Sequence, residues 1–207
     1  MRQRGWNLIW LFAYGAIGGT ALDALHVISG IERYAMPVLF GLLAWWVPLL
    51  FGGASLAIGT SHPLLDSHFG SRQQTRTLIR ISAGLGWLVL AYLMSAGPLP
   101  SLAKVGLLAL VFLVFWLLSG RGWSHLLLAA ITACVGTGIE VLLVHVGAFS
   151  YLQPDFGGVP FWLPCLYMCA SLSVGKLGRA LHHRSPSSQN DSRLPREQQE
   201  GSPKDHS

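Results

Sequence analysis

With 207 residues, 52% of them hydrophobic and only 11% charged, the chain is too apolar for an ordinary soluble domain. Its net charge of +5 does not mark a nucleic-acid binder, because the basic residues are spread over alternate connections and form no single patch. Its three cysteines, Cys134, Cys165 and Cys169, form no C-x-x-C pair, fall inside apolar runs and read as small packing residues.

In chain order, six charge-poor stretches approach the roughly 20 residues that cross a hydrocarbon core. They run approximately over 6–28, 37–59, 78–96, 102–118, 126–146 and 159–181. Lipid offers the backbone no water, so each is expected to be a helix. The first lacks an A-x-A exit and reads as an uncleaved span. The basic residues sort by side. Arg2 and Arg4 precede the first stretch, and Arg72, Arg76 and Arg80 separate the second from the third. Arg121 follows the fourth, and Lys176, Arg179 and Arg184 surround the end of the sixth. The opposite connections carry Glu32 with Arg33, Lys104 alone, and Asp155. The fold class is therefore an all-α membrane protein of six transmembrane helices with both termini cytoplasmic. Residues 1–182 form that domain. Residues 183–207, rich in Ser, Pro, Gln, Arg and Glu, cannot bury enough surface to fold and read as a disordered cytoplasmic tail.

The second and sixth stretches match at one constant offset. Trp46-Val47-Pro48 falls on Trp162-Leu163-Pro164, Ala54-Ser55-Leu56 on Ala170-Ser171-Leu172, and Gly59 on Gly175. Proline in a first turn and tryptophan at an interface are general membrane features, but a parallel duplication would also produce the match. Glycine is dense at positions 15, 18, 19, 52, 53, 136, 138, 175 and 178, where small residues let helices approach closely.

Glu140 lies about 10 Å inside the fifth stretch, where a carboxyl is costly and faces a bundle interior or a wet cavity. Asp23 is similarly placed in the first, with His26 on the same face. Interhelical hydrogen bonding accounts for both as well as ligand contact does. His62, Asp66 and His68 resemble metal ligands, but Pro63 should disrupt a helical presentation of His62, and Asp66 and His68 read as fixing a loop. No nucleophile elbow, H-E-x-x-H helix or phosphate loop is present, so neither a catalytic residue, a metal nor a cofactor is expected.

Two blocks carry a family resemblance. One is Y-L-Q-P-D-F-G-G-V-P-F-W-L-P-C from Tyr151, followed by G-K-L-G-R-A-L from Gly175. The other is Trp45-Trp46-Val47-Pro48, then Gly59 and Pro63-Leu64-Leu65-Asp66-Ser67-His68-Phe69-Gly70. They resemble the Insig (insulin-induced protein) family over roughly residues 4–182. The resemblance implies six helices, cytosolic termini, no catalysis, an oxysterol between the helices and, in animals, a grip on the escort protein Scap. The family's Scap-holding aspartate falls on Gly120, its span-four glutamine on Ala103 and its tyrosine on His62, while its tryptophan is kept as Trp116. Scap binding is thus not expected, and the arginine-rich composition suits a prokaryotic-type homologue in a bacterial inner membrane.

The expected function is non-catalytic binding of a neutral lipid, diacylglycerol or an oxysterol, in a cavity between helices. The expected ligand-binding residues are Glu140, Asp23, Trp116, Gly136, Trp46 and Trp162. A phosphate-headed lipid would need Lys or Arg deep in the spans, and none is expected there. A homo-oligomer, as a trimer, is the expected assembly. The alternative is a small proton-coupled transporter using Asp23 and Glu140.

Overall fold

A computed structural model describes residues 2–69 and 78–182. The Arg72–Arg76 connection and the tail from residue 183 lie outside the described residues. The first rod is α1 (Arg2–Tyr14), a π-helical turn (Gly15–Gly19) and α2 (Thr20–Ile28) in continuous succession. Next come a short strand β1 (Glu32–Tyr34), α3 (Val47–Phe69), α4 (Leu78–Ala96), α5 (Ser101–Leu118) and α6 (Trp123–His145). A second strand, β2 (Phe149–Tyr151), leads into α7 (Leu163–His182). Three of the rods, Gly5–Ile28, Ser101–Leu118 and Trp123–His145, are long and apolar enough to cross a membrane by themselves. Ile17, Leu102, Leu110, Val135 and Leu142 point their side chains outward with more than half their surface exposed. A protein in water would bury such residues; an integral membrane protein turns them to lipid.

The helix α7 is the hub, packed against α6, α3, α4, α5 and α1. That position explains its sequence: Ser171, Ser173, Gly175, Gly178 and Arg179 are all buried among neighbouring helices. The second apolar stretch departs from expectation. Residues 37–46 are not helical; they form tight turns with Phe40 and Gly41 at positive φ, and the helix begins at Val47. At its far end α3 runs through Pro63 to Phe69, so Asp66 and His68 sit on a helix and not on a loop. Pro63 lacks the N–H that would bond the Gly59 carbonyl one turn back. It is against that carbonyl that Gly178 of α7 packs: a Cβ built on Gly178 would lie 1.9 Å from Gly59 O.

The duplication suggested by the tryptophan–proline motifs extends well beyond one helix. The unit is helix, strand, tight turn, helix, and it occurs as α2–β1–α3 and again as α6–β2–α7. Gly30 and Gly147 end the first helix of each unit with φ of 70° and 74°. Phe40-Gly41 and Gly157-Gly158 carry the matching left-handed pair in the turn. The two strands pair antiparallel, Glu32 with Tyr151 and Tyr34 with Phe149, so the equivalent strands meet across a local two-fold axis. Tyr34 meets Trp46 edge-on (5.7 Å between centroids) as Tyr151 meets Trp162 (6.3 Å). α4 and α5 lie between the units in sequence and belong to neither.

Candidate functional site

Polar side chains gather at the two ends of the bundle. At the ribbon end, Tyr34 donates to Asp23 Oδ2 at 2.6 Å. Its equivalent Tyr151 donates to Glu140 Oε2, and Tyr167 of α7 donates to Glu140 Oε1. Glu32, on the inward face of β1, is 4% exposed and closes the group; its Oε1 has no hydrogen-bond partner among the described residues. Burial, followed by the neighbouring Asp23 and Glu140 charges, pushes Glu32 well above the usual carboxylate range. His26 bonds Ser95 at 2.8 Å and meets the Trp162 ring edge-on.

At the opposite end, Arg179 forms an ion pair with Asp66 through Nε, while its Nη2 lies 3.1 Å from Asp66 Oδ1 and 2.9 Å from His62 Nδ1. A guanidinium only donates, so His62 Nδ1 accepts and the ring is neutral with its proton on Nε2. That proton points to Ser171 Oγ at 3.3 Å. Ser124 donates to Asp66 from the start of α6. Thus His62 and Asp66 both bond Arg179, and the glycines assist: a Cβ on Gly175 would strike the His62 ring at 2.5 Å.

Between these ends, α3 and α6 splay apart over a groove of about 460 Å³. Its walls are Leu49, Leu50, Ala54, Ile58, Ile131 and Ile139, its back is Tyr167, and its polar end holds Ser61, His62 and Thr132. The repeat explains why it is open. The equivalent groove between α7 and the first rod has Gly15, Gly19 and Phe51 where this one has Thr132, Gly136 and Tyr167. There α4 lies alongside, with Leu88 and Tyr92 filling all but about 60 Å³. The chain supplies no second α4 for the α3–α6 side. The Ser61 and Thr132 hydroxyls donate to Ala57 and Leu128 carbonyls of their own helices, both at 2.7 Å. Each hydroxyl so engaged keeps acceptor capacity at that end, although Thr132 also meets the Ser171 hydroxyl at 3.1 Å, and among the described residues no Asp, Glu, Lys or Arg lines the groove.

No protein-family model matches the chain. Curated relatives do: it is 31% identical to the insulin-induced gene 1 protein of Danio rerio over 137 residues, 63% of this chain and 53% of that protein. Against the protein of the same name from Mus musculus, identity is 28% over 180 residues, 83% of this chain and 68% of the relative. Among solved structures, the mycobacterial Insig homologue MvINS from Mycobacterium vanbaalenii superposes with a TM-score of 0.79 at 24% identity, over 91% of this chain and all of that one. A cross-linked trimer of MvINS matches equally at 25% identity. By sequence and by fold the chain is Insig-like. It spans about half the length of the first curated relatives it matches, and the whole of the prokaryotic-type homologue.

Within this Insig fold the expected binding residues separate. Gly136 lines the groove, although a Cβ on it would meet the Tyr167 ring at 2.7 Å. Glu140 and Asp23 are turned into the ribbon-end network, and Glu140 reaches the groove only through Tyr167. Trp46 packs on Tyr34, and Trp116 donates to the Gly122 carbonyl at 3.3 Å; neither lines the groove. Trp162 lines a different cavity, at the ribbon end. Lys104, read from sequence as a lone charge between spans, lies in the first turn of α5, is 5% exposed and sits over Trp162 there. Sequence reasoning missed Tyr34, Tyr151 and Tyr167 as carboxyl partners and Arg179 as the partner of His62. The repeat held the signal one residue out of register: the offset that lays Trp46 on Trp162 falls one short of laying Tyr34 on Tyr151 and Asp23 on Glu140.

Proposed function

We propose that this Insig-like chain is a non-catalytic, six-span membrane protein with cytoplasmic termini that holds a neutral lipid in the α3–α6 groove. The observation that carries the reading is the polarity of that groove: apolar walls, no ionised side chain among the described residues, and one end presenting hydroxyl lone pairs. A diacylglycerol or sterol hydroxyl can donate to that end while its hydrocarbon covers the walls. A phosphate or carboxylate would meet acceptors and no cation. The transporter reading requires Asp23 and Glu140 to be reachable from both sides, whereas tyrosine hydroxyls close them off. Assembly as a trimer follows the example of MvINS. A bacterial inner membrane suits diacylglycerol better than a sterol. Scap binding is not expected: Gly120 has φ of 96°, a conformation in which an aspartate would be strained.

Native mass spectrometry of the full chain, extracted in mild detergent, should show a retained neutral lipid. Gly53→Trp is the blocking variant, because Gly53 lines the groove and a Cβ there meets nothing within 4 Å. It should fold and lose that lipid. Undiminished lipid in Gly53→Trp, or a phosphate-headed lipid displaced by it, would refute the reading.

A further inference from the structure

At the ribbon end, a cavity of about 590 Å³ opens between the α2–β1 turn, the α4–α5 connection and the start of α7. It differs in kind from the α3–α6 groove, for Lys104 and Trp162 line it together. The Lys104 ammonium lies 5.5 Å from the centre of the Trp162 ring, and the residue is 5% exposed. Among the described residues, the ion pair is that of Arg179 with Asp66, at the other end of the bundle; no carboxylate pairs with Lys104. The acid at the rim, Asp155, is already held by the Ser101 hydroxyl and the Phe161 N–H. A largely covered ammonium with an aromatic face and the neighbouring His26 ring for company, and no paired acid, is costly, and an anion would offset that cost.

The backbone points the same way. The 18-residue helix α5 starts at the cavity with Pro100 as its N-cap, no side-chain cap bond and no acid in its first turn. The Pro100 carbonyl takes the Ala103 and Lys104 N–H groups, which leaves those of Ser101 and Leu102 without a partner inside the helix. Orphan N–H groups at the positive end of a helix dipole favour an anion. Both features converge on one space of a size that ligand pockets commonly have, roughly 300–1,000 Å³.

The geometry points to an oxyanion site: we propose that a phosphate or carboxylate group binds in this cavity, paired with Lys104 and capped by the α5 N-terminus, with Trp162 and Pro98 packing on the carbon skeleton it carries. This site is independent of the neutral-lipid groove. Its ligand is either the headgroup of an anionic lipid or a free anion, and the two share this chemistry.

The test uses the full chain in mild detergent with dioleoylphosphatidylglycerol, inorganic phosphate or dioleoylglycerol added. Lysine acetylation mapped by mass spectrometry reads the site cleanly, since the chain has three lysines, Lys104, Lys176 and Lys204. Phosphatidylglycerol, phosphate or both should slow acetylation of Lys104 several-fold and leave Lys176 unchanged, while dioleoylglycerol should not protect. Protection by the lipid alone assigns a headgroup, and protection by phosphate assigns a free anion. Lys104→Met should weaken binding of the protecting anion by about tenfold or more, whereas Lys104→Arg and Gly53→Trp should keep it. Equal acetylation of Lys104 with and without both anions would overturn the proposal. So would anion binding to Lys104→Met at wild-type affinity. Loss of binding in Gly53→Trp would place the anion in the groove and sink it as well.

Discussion

Gly178→Ala tests how α3 and α7 are held together. The added Cβ would lie 1.9 Å from Gly59 O, 2.6 Å from its carbonyl carbon and 2.7 Å from its Cα. All three are backbone atoms, so no side chain can swing aside. Restoring even a tight contact of 3.0 Å moves the helices apart by about 1.1 Å along that line, and a gap of ~1 Å forfeits a quarter to a half of each dispersion contact. Overpacking of this kind costs about 1–3 kcal/mol. The next residue is Arg179, whose bonds to Asp66 and His62 depend on the same approach. Uncoupling a buried pair costs ~3–5 kcal/mol, of which a 1 Å shift forfeits only part. The expected total is a destabilisation of about 3 kcal/mol, a more than hundredfold change in the folding equilibrium. Gly138→Ala is the control: a Cβ there meets nothing within 4 Å. As an ordinary exposed helix substitution it should stabilise by about 0.5–1 kcal/mol. Reversible unfolding in mixed micelles of rising SDS content, followed by tryptophan fluorescence, measures both. A Gly178→Ala protein as stable as the Gly138→Ala control would refute the backbone-contact argument.

Glu140→Gln should cost about 1–2 kcal/mol in the same assay, since one of Tyr151 and Tyr167 loses a carboxylate acceptor. Lipid per protein should stay unchanged, because Glu140 does not line the groove; a parallel loss of lipid would return it to the binding site. Burial holds Glu32 above its usual 4.5, so the folded state keeps a proton that the unfolded chain has released. The stability this contributes is full below about pH 4.5 and drains away as pH rises through the raised folded value. Unfolding free energies at pH 5 and pH 8 should therefore fall more steeply in the wild type than in Glu32→Gln; equal slopes would show that Glu32 is not the responsible group. Single cysteines at Gln153 and Ser192 should be labelled from opposite sides of the membrane in intact vesicles. Labelling of both from one side would end the six-span topology.

Hydropathy made most of the rods legible, because in lipid the outward face of each must be apolar along its whole length. It failed at residues 37–46, where the side chains are as apolar as those of a span but the chain turns through left-handed Phe40 and Gly41. Hydropathy measures transfer from water and carries no information about φ. It also misread Pro63 as a break, since the lost N–H falls where α7 presses on the Gly59 carbonyl, and the helix continues because its other bonds and its packing hold. Lys104 was legible as a charge but not as a buried one. Only the fold brings Trp162, more than fifty residues away in sequence, beneath it.

The candidate site was harder to see, for a reason the repeat makes plain. Glu140 drew attention because a carboxyl in a span is costly, yet cost marks a residue that must be satisfied, not one that binds a ligand. Asp23 and Glu140 occupy equivalent positions in the two units, and each takes a hydroxyl from the equivalent tyrosine. That symmetry fits a structural role, in which both acids tie the antiparallel ribbon down onto the helices that carry them. A binding site in such a fold is better sought where the two units differ. The first unit packs against α4 and the second leaves its equivalent groove open, with about 460 Å³ of apolar space in place of about 60 Å³. Under the proposed function, its occupant would do what Leu88 and Tyr92 do on the other side, covering apolar helix faces with hydrocarbon, and add one hydroxyl for Ser61 or Thr132. A neutral lipid meets both requirements.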